Sequence, residues 1–273
     1  MSEEDLAAEL AATAHILYKY TAIQRFLQRG LHSQKPENPP MCSNYEPVSR
    51  ADRLLSFFGV VRGRDEPTAT VFPTGLAPFI RLAEDGSGNR RVEDGAFGLL
   101  PSFAKELAFG RRTYNSRSET VATLPSFRDA WRNGWRCIVP AESIFEPSYE
   151  TGKAVRWRIY QPGSVPMGIA GIYTKWRNPE DGQELFSFAM LTVNATGHVV
   201  MQRFHRPEDE KRMVVILDPA DYDEWLTCPV TGASKFFRRW MGPLESEASP
   251  LPPRAPRTYS GKVVQPPPEP SLF

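Results

Sequence analysis

The sequence predicts an α+β fold: a single domain built on a curled, barrel-like, mainly antiparallel β-sheet with flanking helices. Three observations carry that expectation. Short apolar runs recur through the middle of the chain, separated by Gly, Pro and Asn turns. Helical periodicity there is confined to a few short stretches. Neither a strand–helix–strand rhythm of the kind that builds a parallel sheet nor an internal repeat is present.

Taken in chain order, residues 1–40 form an N-terminal extension. Leu6, Leu10, Ile16, Leu17, Tyr20, Ile23 and Leu27 recur there at helical spacing between Asp5 and Leu31. Gly30 and the segment SQKPENPP then stop the helix. Residues 41–241 form the folded domain. Its strands are expected at ATVFP (69–73), RVEDGAFGLL (91–100), RCIVPA (136–141), KAVRWRIYQ (153–161), MGIAGIYTKW (167–176), ELFSFAMLTVNA (184–195) and RMVVIL (212–217). Helices are expected at SFRDAWRNG (126–134), at DPADYDEWL (218–226) with Asp218 as cap and Pro219 in the first helical position, and at ASKFFRRW (233–240). Residues 242–273 are rich in Pro, Ser and Glu and poor in core formers, the composition of a flexible tail.

Composition narrows the function. A chain of 273 residues can bury one substantial core. Its 33 Lys and Arg nearly cancel 32 Asp and Glu, so a polyanion held by bulk charge is excluded and nucleic-acid contact requires a local basic patch. Cysteines at 42, 137 and 228 make neither a paired framework nor a metal-ligand spacing, which implies a reducing cytoplasm and no metal or organic cofactor. No apolar run approaches the roughly 18 residues that span a bilayer. Glu3, Glu4 and Asp5 are wrong for a secretory signal. The expectation is a cytoplasmic protein without a membrane partner, and nothing demands more than a monomer.

Four clusters could carry chemistry. MCSNYEP (41–47) sets Cys42 behind a methionine and a proline-rich break; a small buried cysteine opening a strand is the plain alternative. The run from Tyr114 to Pro147 scatters Arg117, Arg128, Arg132 and Arg136 among Phe127, Trp131 and Trp135, and Asn115 and Arg117 fall in a polar stretch between structured elements, free to meet a ligand. IFEP sets Glu146 among apolar neighbours at the end of a strand, which favours a raised pKa and acid–base use unless the side chain faces solvent. In FHRPEDEKRMVVIL (204–217), His205 precedes a charged loop and a buried strand, and a lone histidine is more often structural or exposed than functional.

Their joint order is more specific than any one of them. MC, then GLLPSF, then NSRSETV, FRDAW and CIVPAESIFEP, then a histidine leading into RMVVIL, resembles the SOS response-associated peptidase family across about residues 41–240. The resemblance implies a protein that crosslinks to abasic sites in single-stranded DNA through an amino-terminal cysteine, shielding the lesion in the DNA-damage (SOS) response, associated with the nucleoid on damage. An opened abasic deoxyribose presents an aldehyde. An α-amine of pKa about 7.7–8.0 condenses with it to an imine, and the neighbouring thiol, of ordinary pKa about 8.5, closes a thiazolidine. By the resemblance, Cys42 is the nucleophile, Glu146 shuttles protons, His205 assists at the same carbon, Asn115 and Arg117 hold DNA near the lesion, and Phe103 stands where relatives carry a stacking tryptophan.

The sequence departs from the family pattern in places. MCSNY replaces MCGRF, so Asn44 stands where an arginine is expected at the DNA; Pro147 replaces a tryptophan after Glu146; and the loop between His205 and Arg212 is longer than usual. Cys42 is internal as written, and an amide nitrogen is not nucleophilic. Either translation begins at Met41, or residues 1–40 are a propeptide removed by Cys42 with Glu146 and His205. Two rival readings stay open: a cysteine peptidase with a Cys42–His205 pair acting on other proteins, and a non-catalytic single-stranded DNA-binding adaptor.

Overall fold

The computed structural model describes residues 43–63 and 69–252. The helix expected between Asp5 and Leu31, Cys42 itself, and the end of the expected tail lie outside the described residues.

Among the described residues eleven strands form one sheet. They are β1 (Asn44–Pro47), β2 (Leu76–Leu82), β3 (Arg90–Phe97), β4 (Asn115–Arg117), β5 (Arg136–Ser148), β6 (Val155–Tyr160), β7 (Met167–Arg177), β8 (Glu184–Asn194), β9 (Arg212–Val214), β10 (Ile216–Leu217) and β11 (Glu245–Ala248). Five of them close on themselves: β5 pairs β7, β7 pairs β8, β8 pairs β3, β3 pairs β2, and β2 returns to β5 at Ile80 and Ile138. The expected curled sheet is therefore a closed barrel set within a larger sheet, antiparallel except where β8 meets β3 and β4. Among the described residues three short helices flank it: α1 (Ala51–Phe58), α2 (Arg128–Arg132) and α3 (Tyr222–Thr227).

β5 organises the molecule. Its first half, Arg136–Ala141, pairs with β7 and closes the barrel; its second half pairs with β1 on one edge and β6 on the other. The irregularity between Glu46 and Pro47 marks the change of partner, as a bulge that bends a strand does. The barrel fills with fully buried side chains, among them Phe79, Phe97, Phe188, Ile138 and Ile172, each worth about 1.5–3 kcal/mol of burial. Trp225 on α3 seals one side, its indole N–H donating to the carbonyl of Cys137 at 2.8 Å. α3 packs so tightly that a Cβ on Gly168 would stand 2.3 Å from the Tyr222 hydroxyl.

Several expectations need adjusting. LAPFIRL is a strand although it reads as none, because Pro78 and Arg81 break its apolar run; Arg81 is buried by ion pairing to Glu93 at 2.8 Å and stacking over Phe186. ATVFP contributes only a bridge from Val71 to Tyr45. NSR is not a free polar stretch but β4, hydrogen-bonded along β8. ASKFFRRW yields a 3-10 turn, Val230–Phe236, rather than an α-helix. Within the stretch expected to be flexible, ESEA forms β11 because the outer edge of β6 would otherwise stand unpaired. Asp218 caps its turn as expected, accepting from the Ala220 N–H at 3.0 Å, with Pro219 following.

Candidate functional site

Alternation along β5 decides which side chains can meet. Ile144, Glu146 and Ser148 share one face; Ser143, Phe145 and Pro147 share the other. Trp157 is paired opposite Glu146 and stands beside it on the same face. Glu146 is 2% exposed, so the reading in which it faces solvent does not hold. His205, also buried, brings its Nε2 to 3.7 Å from Glu146 Oε2. That nitrogen has no hydrogen-bond partner among the described residues.

The backbone explains how His205 reaches the carboxylate. Its φ is +66°, in the left-handed region, which costs a residue with a side chain about 1–3 kcal/mol. Two contacts impose it: the His205 N–H donates to the Pro147 carbonyl at 2.8 Å, and Phe204 bridges to Ser148. The end of β5 that presents Glu146 thus also pins His205.

A second cluster lies along β8, where β4 pairs on one side and β9 on the other. Arg117, half-exposed at the end of β4, donates to Glu210 at 2.8 Å. Arg212, almost fully buried at the start of β9, donates to Glu210 at 2.7 Å, to Glu119 at 2.8 Å and to the Thr192 carbonyl at 2.8 Å. The Asn194 amide donates to Glu210 at 3.1 Å. Partial burial pushes the Glu210 and Glu119 carboxyls up, but hydrogen bonds (to Glu210 from Asn194 and Arg212, to Glu119 from Arg212) outweigh it and hold both below the usual value. A cleft of about 480 Å³, lined by Ser118, Glu119, Asn194, Phe237 and Arg239, adjoins this cluster.

Other expected residues are dispersed. Asn115 opens β4, half-buried opposite Met190. Phe103 is 53% exposed and stands edge-on to Phe109 with ring centroids 5.6 Å apart. Asn44 pairs opposite Phe145, on the face of the sheet away from Glu146, and is buried; Arg156 of β6 donates to its side-chain oxygen at 3.4 Å and stacks over Phe145. The structure brings Glu146 and His205 together and ties Arg117 to the same loop; Phe103 and Asn44 lie apart from that contact. Sequence reasoning missed Arg212, Glu210 and Arg203, which covers Trp157 at 5.1 Å while donating twice to Glu150. Only the charge of the 206–211 loop hinted at the first two.

Cys137 and Cys228 are buried free thiols, and burial pushes the Cys137 thiol well up, so Cys137 is not an activated nucleophile. Among the described residues no three His, Cys, Asp or Glu side chains gather as they would around a metal ion. Among them, too, no helix is long and apolar enough to cross a membrane.

Comparisons with known proteins agree with this architecture. A family model described as SOS response associated peptidase matches residues 41–251. An abasic site processing protein of Bacillus subtilis, YoqW, is 30% identical over 191 residues, covering 68% of this chain and 80% of the relative. The abasic site processing protein HMCES of Gallus gallus is 27% identical over 208 residues, covering 64% of this chain and 59% of its own. A Bordetella bronchiseptica protein of known crystal structure superposes with a TM-score of 0.69 at 34% identity, covering 77% of this chain and all of its own. A Bacteroides thetaiotaomicron structure at 21% identity, with a TM-score of 0.63 over 76% of this chain and 91% of its own, shares the fold.

Proposed function

The chain belongs to the SOS response-associated peptidase family, and from that premise we propose that it processes abasic sites in single-stranded DNA by bonding to them covalently through Cys42. Its relatives in Bacillus subtilis and Gallus gallus are named for abasic site processing. The observation that carries the reading is the buried Glu146–His205 contact at the end of β5. β1 runs along that same end, with Asn44 opposite Phe145. Cys42 lies two residues before Asn44 in the sequence.

In the proposed reaction the amine of an amino-terminal Cys42 condenses with the sugar aldehyde and releases water. The thiolate then adds to the imine carbon as the nitrogen takes up a proton, closing the thiazolidine. Glu146 carries protons during ring opening and condensation, and His205 serves the same carbon. Asn115 and Arg117 hold the flanking strand, Arg117 through phosphate. Phe103 offers an exposed ring on which a base of a single strand can stack. The chemistry requires a free amine on Cys42 and calls on no metal.

The test uses a single-stranded oligonucleotide with one abasic site, incubated with protein whose first residue, verified by amino-terminal sequencing, is Cys42. A denaturation-resistant adduct is expected, absent in Cys42→Ala and absent when residues precede Cys42. An adduct that survives Cys42→Ala would overturn the proposal. Cleavage of unrelated peptides with no adduct would replace it with a cysteine peptidase, and binding unchanged by Cys42→Ala with no adduct would replace it with an adaptor.

A further inference from the structure

The guanidinium expected to hold DNA already holds an anion. Arg117 donates to Glu210 Oε2 at 2.8 Å, while the other oxygen of the same carboxylate accepts from Arg212 at 2.7 Å and from the Asn194 amide at 3.1 Å. Three donors from β4, β8 and β9 therefore converge on one small anion, as they would on the oxygens of a phosphate group. Its bearer, Glu210, belongs to the loop 206–211 that joins His205 to Arg212. That loop is anchored to its own base, where Lys211 Nζ donates to the carbonyls of His205 and Arg206.

Burial divides the donors into two kinds. Arg212 is 1% exposed and keeps Glu119 and the Thr192 carbonyl whatever Glu210 does. Arg117 is half-exposed, and Glu210 is the carboxylate it meets. A carboxylate shared by one fixed and one accessible arginine can release the accessible one at small cost, because a solvent-exposed ion pair contributes little.

We propose that Glu210 is an internal stand-in for a backbone phosphate: it holds Arg117 oriented until a strand phosphate displaces it, and so sets how tightly nucleic acid must bind to engage the site. The inference rests on the nucleic-acid reading above and adds a positioning residue that acts through Arg117. Displacement costs the Arg117–Glu210 contact and is repaid only by an anion presented at that point, which disfavours ligands lacking a phosphate there.

The test measures noncovalent binding of an undamaged, fluorescent single-stranded oligonucleotide by the full chain, so that it does not depend on crosslinking. Glu210→Gln should lower Kd about two- to fivefold, the range set by the lost pair. Glu208→Gln removes the same charge from the same loop, where no ion pair to Arg117 is formed, and should bind as wild type. Placed on Arg117→Ala, the Glu210→Gln gain should disappear, a dependence that a merely structural role for Glu210 would not produce. Equal tightening by Glu208→Gln, tightening that persists without Arg117, or unchanged or weaker binding in Glu210→Gln would each overturn the proposal while leaving the nucleic-acid reading intact. Absence of binding by wild type and all variants would overturn both.

Discussion

The Glu146–His205 contact and the Arg117–Glu210 contact are both acid–base pairs, joined by the chain from His205 to Arg212, yet they are built in opposite ways. The first is enclosed by β5 and β6; its members are almost wholly buried, and one sits in a strained left-handed backbone. The second lies at the surface, where two flexible side chains meet in water. Enclosure strengthens the interaction between two polar groups, because the low local dielectric screens them little. Exposure makes a pair exchangeable, because water and an incoming anion can replace either member. On the function proposed above, the first is a fixed chemical centre and the second an adjustable electrostatic contact, whose Glu210 is also held by the buried Arg212.

Three substitutions break or sharpen this contrast, in order of effect. Glu146→Gln keeps the shape of the buried side chain and removes its proton chemistry, so the rate of adduct formation should fall about 10²-fold or more. A time course on denaturing gels reads it, and an unchanged rate would move Glu146 out of the chemistry. Arg212→Met removes the buried donor shared by Glu119, Glu210 and the Thr192 carbonyl, leaving Glu210 with Arg117 and Asn194 and the Thr192 carbonyl with the Ser118 N–H, and should destabilise the fold by about 1–3 kcal/mol in urea unfolding. A change below about 0.5 kcal/mol would show that this donor is dispensable. Glu119→Gln should matter least. Because Arg212 holds the Glu119 carboxyl below its ordinary value of 4.5 despite partial burial, the carboxylate stabilises the fold above that value and its contribution is lost as pH falls through the depressed pKa. Wild type should therefore melt at most about 2–4 °C above Glu119→Gln at pH 7, with the gap closing in acid. A gap that widened in acid would reverse the assigned sign.

Much of the sheet was legible, for a local reason. β3, β5, β6, β7 and β8 announce themselves by β-branched and aromatic runs bounded by turn residues, and those preferences act within a few residues. The strands that were not legible depend on partners. β4 is a polar tripeptide made a strand only by β8, and β11 is an acidic tetrapeptide made a strand only by the exposed edge of β6. The candidate site divides likewise: Glu146 and His205 stood out by their neighbours, whereas Glu210 is one of several loop carboxylates until the fold sets it against Arg117.

By itself the sequence determined the α+β class, the order of the main strands and, through the spacing of its motifs, the family to which the chain belongs. Side-chain alternation, turn chemistry and motif spacing are properties of neighbouring residues, so they survive in a one-dimensional string. The tertiary structure alone decided that the sheet closes through Ile80 and Ile138, that the end of β5 bends His205 onto Glu146, and that an acidic loop residue occupies the accessible arginine. Each is a contact between distant parts of the chain, and its free energy exists only once the intervening segments have folded.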